Sequence, residues 1–185
     1  ASLPDNARLT GREGARLHFL PFGGARRAGM TIETANRLAH LAAWSVVGPH
    51  YFLPVGGYSW RGCLGYVGAA LELDEQVEAL GLERPWLVVA AGTGATLAGL
   101  LAGCVLAGSS LRLLGIDVGA LWKRFPASIA RTAGEVCARL GSERRFAPSE
   151  VPLVERAYVG EGYAVPSTEG DAAIEIRVAK LVQPY

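Results

Sequence analysis

Short apolar runs alternate with longer amphipathic segments along most of the chain. The apolar runs predict strands at residues 15–22, 50–55, 86–91 and 111–118, and the intervening segments predict helices at 31–47, 66–80, 96–108 and 125–141. Gly141 is placed to end the last of these helices, as glycine commonly does. Strands that alternate with helices form a parallel sheet. The pattern therefore predicts an α/β fold, a three-layer open parallel sheet with helices on both faces.

The last third of the chain breaks this alternation. Residues 142–166 contain several prolines and glycines and predict a long irregular connection. Residues 167–181 predict a final helix, with Ser167 or Thr168 as its N-cap and acidic residues in its first turn. The sequence contains no internal repeat and no low-complexity segment.

Residues 85–111 contain no charged side chain, and this length could span a bilayer. Two turn sequences interrupt the run, at residues 92–94 and 108–110, so a strand, a turn, a buried helix and a second turn fit it better. The N-terminus has no basic stretch leading into an apolar core, and so predicts no signal peptide. We expect a soluble, cytoplasmic protein that does not bind membranes.

Composition narrows the possible partners. Half of the 185 residues are hydrophobic, 19% are charged, and the net charge is +1, so nothing favours a nucleic-acid partner. Cys63, Cys104 and Cys137 lie far apart in the sequence, which predicts free thiols in a reducing compartment rather than disulfides or a zinc site. The three histidines form no pair at helical spacing. We therefore expect no metal site.

A glycine-rich turn at residues 92–96 joins a predicted strand to a predicted helix. Such a turn can bind an anion, because N–H groups at a helix start lack partners and the helix dipole favours negative charge. No lysine follows at the position that a P-loop requires. Two alternatives stay open: the small residues only allow close packing, or the domain binds a nucleotide, with Asp117 at the ribose.

Three stretches of the sequence together resemble one enzyme family. They are PVGGYSWRGCLGYVGAALEL at 54–73, VVAAGTGATLAGL at 88–100 and YVGEGYAVPSTEGDAAI at 158–174. In order and spacing they resemble the D-cysteine desulfhydrase and 1-aminocyclopropane-1-carboxylate (ACC) deaminase family, pyridoxal-phosphate enzymes of fold type II with a tryptophan-synthase-β-like architecture. The resemblance extends from about Asn6 to about Lys180. It implies that residues 1–50 are a remnant of the small domain and residues 51–185 are most of the large domain.

The resemblance also implies a site and a reaction. The phosphate of pyridoxal phosphate would be bound by Gly92, Thr93, Gly94, Ala95 and Thr96. Ser59 and Tyr163 would line the active site. The substrate would be a small amino acid, which undergoes α,β-elimination in the case of D-cysteine or ring-opening deamination in the case of ACC.

The chain departs from the family at its catalytic lysine. That lysine forms the Schiff base with the cofactor and moves the substrate proton, and in the family it lies in an N-terminal motif such as Gly-Gly-Asn-Lys. This chain has only Lys123 and Lys180, neither of which matches, and we expect both at the surface. We therefore identify no catalytic residue. The alternative to an enzyme is a non-catalytic binding or interaction module of the same fold.

The matched region corresponds to a middle-to-late portion of such an enzyme. The missing N-terminal portion would leave apolar surface uncovered, and exposed apolar surface of this kind promotes association. We therefore expect a homodimer, or association with a missing N-terminal segment.

Overall fold

The computed structural model describes residues 5–18, 29–162 and 165–181. The described helices are α1 (Asp5–Arg12), α2 (Ile32–Val47), α3 (Trp60–Ala79), α4 (Ala95–Ala107), α5 (Phe125–Arg139) and α6 (Thr168–Leu181). The described strands are β1 (Trp86–Ala91), β2 (Arg112–Asp117) and β3 (Leu153–Val154). Two 3₁₀ turns, Val55–Gly57 and Pro148–Glu150, complete the regular structure of this part of the chain.

The three strands form one parallel sheet in the order β1–β2–β3. Trp86 pairs with Arg112 at one end of the first two strands, and Ala91 pairs with Asp117 at the other end. Because the strands are parallel, their carboxyl ends meet at one edge of the sheet, where the glycine turn follows Ala91. The predicted α/β fold, with a parallel sheet flanked by helices, is confirmed.

The two faces of the sheet differ in exposure. Side chains alternate between faces along a strand, and the face that carries Gly115 lies under α4, where a Cβ on that glycine would overlap Leu97. On the opposite face, Trp86 and Val88 are 54% and 57% exposed. The guanidinium of Arg112 lies 3.8 Å from the Trp86 ring centroid and covers part of that ring. Apolar side chains are therefore exposed on this second face.

Helix α4 is the centre of the hydrophobic core. Every residue from Leu97 to Cys104 is buried, which explains why this helix carries no charge. It packs closely on α3, because Gly99 lies against Tyr66 and Gly103 lies against Ala70. Both contacts advance in the same direction along the two helices. The helices α3 and α4 therefore run parallel, with their N-termini side by side.

Helix ends follow the sequence signals. In three helices the residue before the first turn accepts a hydrogen bond through its hydroxyl from the N–H three residues later: Thr31 from Thr34 (3.3 Å), Ser59 from Gly62 (3.2 Å) and Ser167 from Gly170 (3.0 Å). Ser167 is therefore the cap of the final helix. Gly141 follows α5 as predicted, and its N–H donates to the Ala138 carbonyl at 3.2 Å.

Most predicted elements agree with the structure to within two residues, including the two central strands, three of the first four helices, and the final helix. Helix α3 begins at Trp60, six residues before the prediction, because Ser59 caps it and Gly62 and Gly65 are helical. The short strand β3 was not predicted, because it lies between prolines in the long connection.

Two predicted strands differ from the structure. Residues 50–55 form no strand. Pro49 and Pro54 lack N–H groups for a ladder, and the Phe52 ring stacks on His40 of α2, with centroids 4.8 Å apart. Of the predicted strand at 15–22, residues 15–18 are irregular, and residues 19–22 lie outside the described part. The division at residue 50 stays a prediction.

The uncharged run at residues 85–111 is divided into β1, the glycine turn and α4, as its turn residues predicted. Among the helices that the structure describes, none has the length and apolarity that a membrane crossing requires.

Candidate functional site

The glycine turn lies between the carboxyl end of β1 and the first residue of α4. Gly94 is the N-cap of α4, and because glycine has no side chain, no cap hydrogen bond occupies the N–H groups of the first turn. Within the described residues, the N–H groups of Thr93, Gly94, Ala95 and Thr96 have no acceptor. Gly92, Thr93 and Thr96 are only partly buried, so solvent reaches the turn. The turn therefore presents free donors at the positive end of a helix dipole.

The N-terminus of α3 lies next to this turn. The Cys63 thiol in the first turn of α3 donates to the carbonyl of Ala95, the first residue of α4, at 3.3 Å. Two parallel helices thus bring their positive ends to one place, and each favours negative charge there. Two aligned helix N-termini favour an anion at this edge of the sheet more than one would.

A second glycine-containing segment packs against the glycine turn. We call residues 54–59 the double-glycine loop, since it contains Gly56 and Gly57. Gly56 lies so close to Thr93 that a Cβ on Gly56 would be 2.5 Å from the threonine Oγ1. The N–H of Val55 donates to Asn36 Oδ1 of α2 at 3.2 Å. The double-glycine loop is therefore held by α2 and in turn supports Thr93.

The loop after β2 supports the turn from the other side. Trp122 is 8% exposed, and its indole N–H donates to the Gly92 carbonyl at 2.8 Å. Asp117 is 3% exposed, and its Oδ1 accepts the N–H groups of Gly119 (3.1 Å) and Ala120 (2.9 Å). Asp117 thus shapes its own loop rather than presenting this oxygen to a ribose. This placement weakens the nucleotide alternative.

Packing also fixes the position of the turn. A Cβ on Gly94 would be 2.7 Å from Ile129 and 3.0 Å from Phe125, both in the first turns of α5. Both of these side chains are essentially inaccessible to solvent. A larger residue at position 94 would therefore push the turn away from α5. The close-packing explanation of the glycines thus holds at this position, and it coexists with the free N–H groups.

The structure brings together most of the predicted site residues. Gly92, Thr93, Gly94, Ala95 and Thr96 form the turn, and Ser59 immediately precedes the neighbouring helix α3. Ser59 caps α3, and its hydroxyl also lies 3.3 Å from the Gly57 carbonyl, to which it donates. Tyr163 lies outside the described residues. The roles of all these residues in binding stay predictions.

Lys123 is exposed and lies in the loop before α5. Its Nζ would be 3.1 Å from a Cβ on Gly29, and its backbone N–H donates to the Met30 carbonyl at 3.2 Å. This exposure agrees with the predicted surface lysine. The side chain of Lys180 is outside the described part of the structure. Among the described residues, no group of three or more His, Cys, Asp or Glu side chains could hold a metal ion.

Sequence reasoning missed Gly56, Tyr58 and Trp122 as parts of this site. The double glycine was visible as a motif, but its contact with Thr93 joins residues 37 positions apart in the chain. Tyr58 bonds to α5 across 70 residues and Trp122 bonds to Gly92 across 30. Contacts over such separations leave no local pattern in a single sequence.

The turn meets the requirements of a cofactor phosphate. A phosphate needs several N–H donors and positive potential, and the free groups of residues 93–96 with two helix N-termini supply both. The half-buried hydroxyls of Thr93 and Thr96 have no hydrogen-bond partner within the described residues and could add donors. The residues present therefore fit the phosphate of pyridoxal phosphate.

Comparison with known proteins gives the same family as the three motifs. The family model described as "Pyridoxal-phosphate dependent enzyme" matches residues 1–179. A 1-aminocyclopropane-1-carboxylate deaminase of Mesorhizobium japonicum is 38% identical over 133 residues, which are 70% of this chain and 38% of that protein. A putative deaminase of this name from Pyrococcus furiosus is 45% identical over 69 residues, 37% of this chain and 21% of that protein.

A crystal structure of an ACC deaminase homologue has a similar fold. It superposes with a TM-score of 0.60 at 28% sequence identity, over 80% of this chain and 42% of that one. The chain thus spans less than half the length of the relatives that it matches. These matches confirm the resemblance, and the family implies pyridoxal phosphate as the cofactor.

Proposed function

Because the chain belongs to the family of pyridoxal-phosphate-dependent enzymes, we propose that its glycine turn binds the cofactor phosphate of an enzyme that converts a small amino acid. The reaction would be ring-opening deamination of ACC or α,β-elimination from D-cysteine. The observation that supports this proposal is the set of free N–H groups at residues 93–96, beside two parallel helix N-termini. When bound, the cofactor supplies the electron sink for the reaction.

The residues of this chain would bind and orient the cofactor. The N–H groups of residues 93–96 would donate to the phosphate oxygens, and the hydroxyls of Thr93 and Thr96 would add two donors. Trp122 would keep the Gly92 carbonyl turned away from the phosphate, because its indole N–H holds that oxygen at 2.8 Å. Ser59 and Tyr163 are proposed to line the substrate side.

A non-catalytic module is the second candidate. This candidate is favoured because neither Lys123 nor Lys180 lies at the position of the family's Schiff-base lysine, and because Lys123 is exposed on the loop before α5. The exposed side chains of Trp86 and Val88 support self-association or association with a further segment. The two candidates agree on cofactor phosphate binding and differ only in the chemistry that follows.

A charge substitution in the turn tests phosphate binding. Gly92 has open space around its Cβ position, so a side chain fits there. Gly92→Asp places a carboxylate beside the phosphate, and we expect it to weaken binding of pyridoxal phosphate by about tenfold or more. Gly92→Asn has the same shape without the charge and should bind within about threefold of the wild type. Equal affinities of these two variants, or equal binding of pyridoxal without its phosphate, would contradict the proposal.

Reduction with borohydride separates the enzyme from the module. The purified chain is mixed with pyridoxal phosphate and reduced, and the intact mass and modified peptide are measured. A single stoichiometric adduct at Lys123 or Lys180 would show that one of them has been recruited. Phosphate-dependent protection of residues 92–96 from amide exchange without an adduct would indicate a binding fold without its catalyst.

A further inference from the structure

Tyr58 lies near the end of the double-glycine loop and has a buried hydroxyl group. The residue is 6% exposed, and its hydroxyl donates to the Ser128 carbonyl of α5 at 2.8 Å. The same oxygen accepts a hydrogen bond from Thr132 Oγ1, also at 2.8 Å. Burial raises the pKa of this hydroxyl well above its ordinary value, so the group remains a donor throughout the physiological range. The loop is therefore joined to α5 by a fully satisfied buried hydroxyl.

Helix α2 meets the same hydroxyl. Glu33 Oε1 lies 3.2 Å from the Tyr58 oxygen, and Oε2 accepts from Ser128 Oγ at 3.1 Å. Arg131 Nη2 donates to Glu33 Oε1 at 2.6 Å and balances its charge. We call Glu33, Tyr58, Ser128, Arg131 and Thr132 the Tyr58 cluster. The cluster joins α2, the double-glycine loop and α5 at one point.

The double-glycine loop is short and fixed at both ends. Val55 is held by Asn36 of α2, and Tyr58 is held by the cluster. Only Gly56 and Gly57 lie between them, and Gly57 is pressed against Gly62 of α3, where a Cβ would overlap the Gly57 carbonyl. Gly56 has little freedom to move away from Thr93. A displacement of Tyr58 would therefore be transmitted to the glycine turn within two residues.

We propose that Tyr58 is a positioning residue for the glycine turn, acting through the contact between Gly56 and Thr93. The inference rests on the proposed phosphate-binding role of that turn and adds to it a residue that does not touch the ligand. Its hydroxyl keeps the double-glycine loop against Thr93, so that the N–H groups of residues 93–96 stay aligned before a phosphate arrives. Such preorganisation reduces the entropy cost of binding.

A purely structural role makes a different prediction. A buried hydroxyl group that only stabilises the fold would, when removed, lower global stability and leave the relative exchange rates of individual amides unchanged. A positioning role selectively loosens the double-glycine loop and the first turn of α4. Two amides report on these places: that of Gly57, which donates to the Pro54 carbonyl, and that of Ala98, which donates to the Gly94 carbonyl, both at 2.9 Å.

The test compares Tyr58→Phe with the wild-type chain by amide exchange without ligand and by affinity for pyridoxal phosphate. We expect exchange at Gly57 and Ala98 to be faster by about threefold to tenfold, and binding to be weaker by a similar factor, as for loss of one buried hydrogen bond. Thr132→Val should act in the same direction, and Thr132→Ser should restore the wild-type values. Tyr51→Phe, at a residue 82% exposed, should change nothing.

Val136→Ala provides the control for stability. Val136 is fully buried in α5, one turn beyond Thr132, and its truncation lowers stability without removing a hydrogen bond of the Tyr58 cluster. If Tyr58→Phe has the same exchange pattern as Val136→Ala, with no selective change at Gly57 and Ala98, the proposal is wrong. The exchange result requires no ligand. A wild-type chain that binds no pyridoxal phosphate would refute the proposed function, while exchange would still decide whether Tyr58 positions the turn.

Discussion

Gly99 of α4 lies directly against the backbone of Cys63 in α3, so that a Cβ on Gly99 would be 2.5 Å from the Cys63 carbonyl oxygen. This contact joins two backbones, which no side-chain rotation can separate. Gly99 lies one helical turn after the first residue of α4. The contact therefore also sets how close the N-termini of α3 and α4 lie to each other at the glycine turn. The spacing of the candidate anion site therefore depends on a glycine that does not belong to it.

Gly99→Ala should destabilise the protein by about 1–3 kcal/mol, because α3 must move away from α4 to admit the methyl group. Gly68 of α3 provides a matched control, since it is exposed and helical and has nothing within 4 Å of its Cβ position. Gly68→Ala should stabilise by about 0.5–1 kcal/mol through helix propensity. Urea denaturation of both variants measures the two effects, and changes of the same sign would contradict the packing explanation.

Gly56 and Gly57 allow a test of the contact with Thr93. Both have positive φ values, 61° and 64°, but a Cβ on Gly57 would meet nothing within 4 Å, whereas one on Gly56 would meet Thr93. Alanine at either position costs about 1 kcal/mol in backbone strain. Gly56→Ala should therefore lose more stability than Gly57→Ala, by about 1–2 kcal/mol from the additional overlap. Thermal denaturation measures this difference.

The double variant Gly56→Ala/Thr93→Gly is the control for that comparison. Removal of the threonine side chain should recover most of the additional loss, because the overlap is gone while the backbone strain remains. If the double variant is as unstable as the sum of the two single variants, the contact does not exist in solution.

The three thiols should be unreactive in the folded chain. Burial raises the pKa of Cys63 to about 11, and it also raises the pKa values of Cys104 and Cys137. All three side chains are buried, and the thiolate is the reactive form. We expect an aromatic disulfide reagent to label none of them rapidly at pH 8 and all three in denaturant. Rapid labelling of one thiol in the native chain would show that its surroundings open or differ from the structure.

Sequence patterns predicted those parts of the fold that depend on local signals. The apolar run of β1, the glycines of the turn and the cap at Ser167 each lie within a few residues of the feature that they specify. The run at 50–55 misled the strand prediction because its aromatic residues serve contacts with α2, as Phe52 does with His40. The hydrogen bonds of Tyr58 could not be predicted from the sequence, since its partners lie 25, 70 and 74 positions away.

The attachment of α2 should depend on pH through Glu33. Burial alone would raise the pKa of this carboxyl group, but hydrogen bonds from Arg131, from the backbone N–H of Glu33 itself and from Ser128 outweigh burial and hold the pKa below its usual value of 4.5. A lowered pKa in the folded state contributes stability above pH 4.5, and this contribution is lost as the pH falls through the folded-state value. Glu33→Gln should therefore be less stable than wild type at pH 7, with a difference that shrinks below pH 4.5 in urea denaturation.

Glu78→Gln, at an exposed position of α3, should show no such convergence. A difference for Glu33→Gln that stays constant from pH 7 to pH 3 would mean that the charge of Glu33 does not stabilise the cluster.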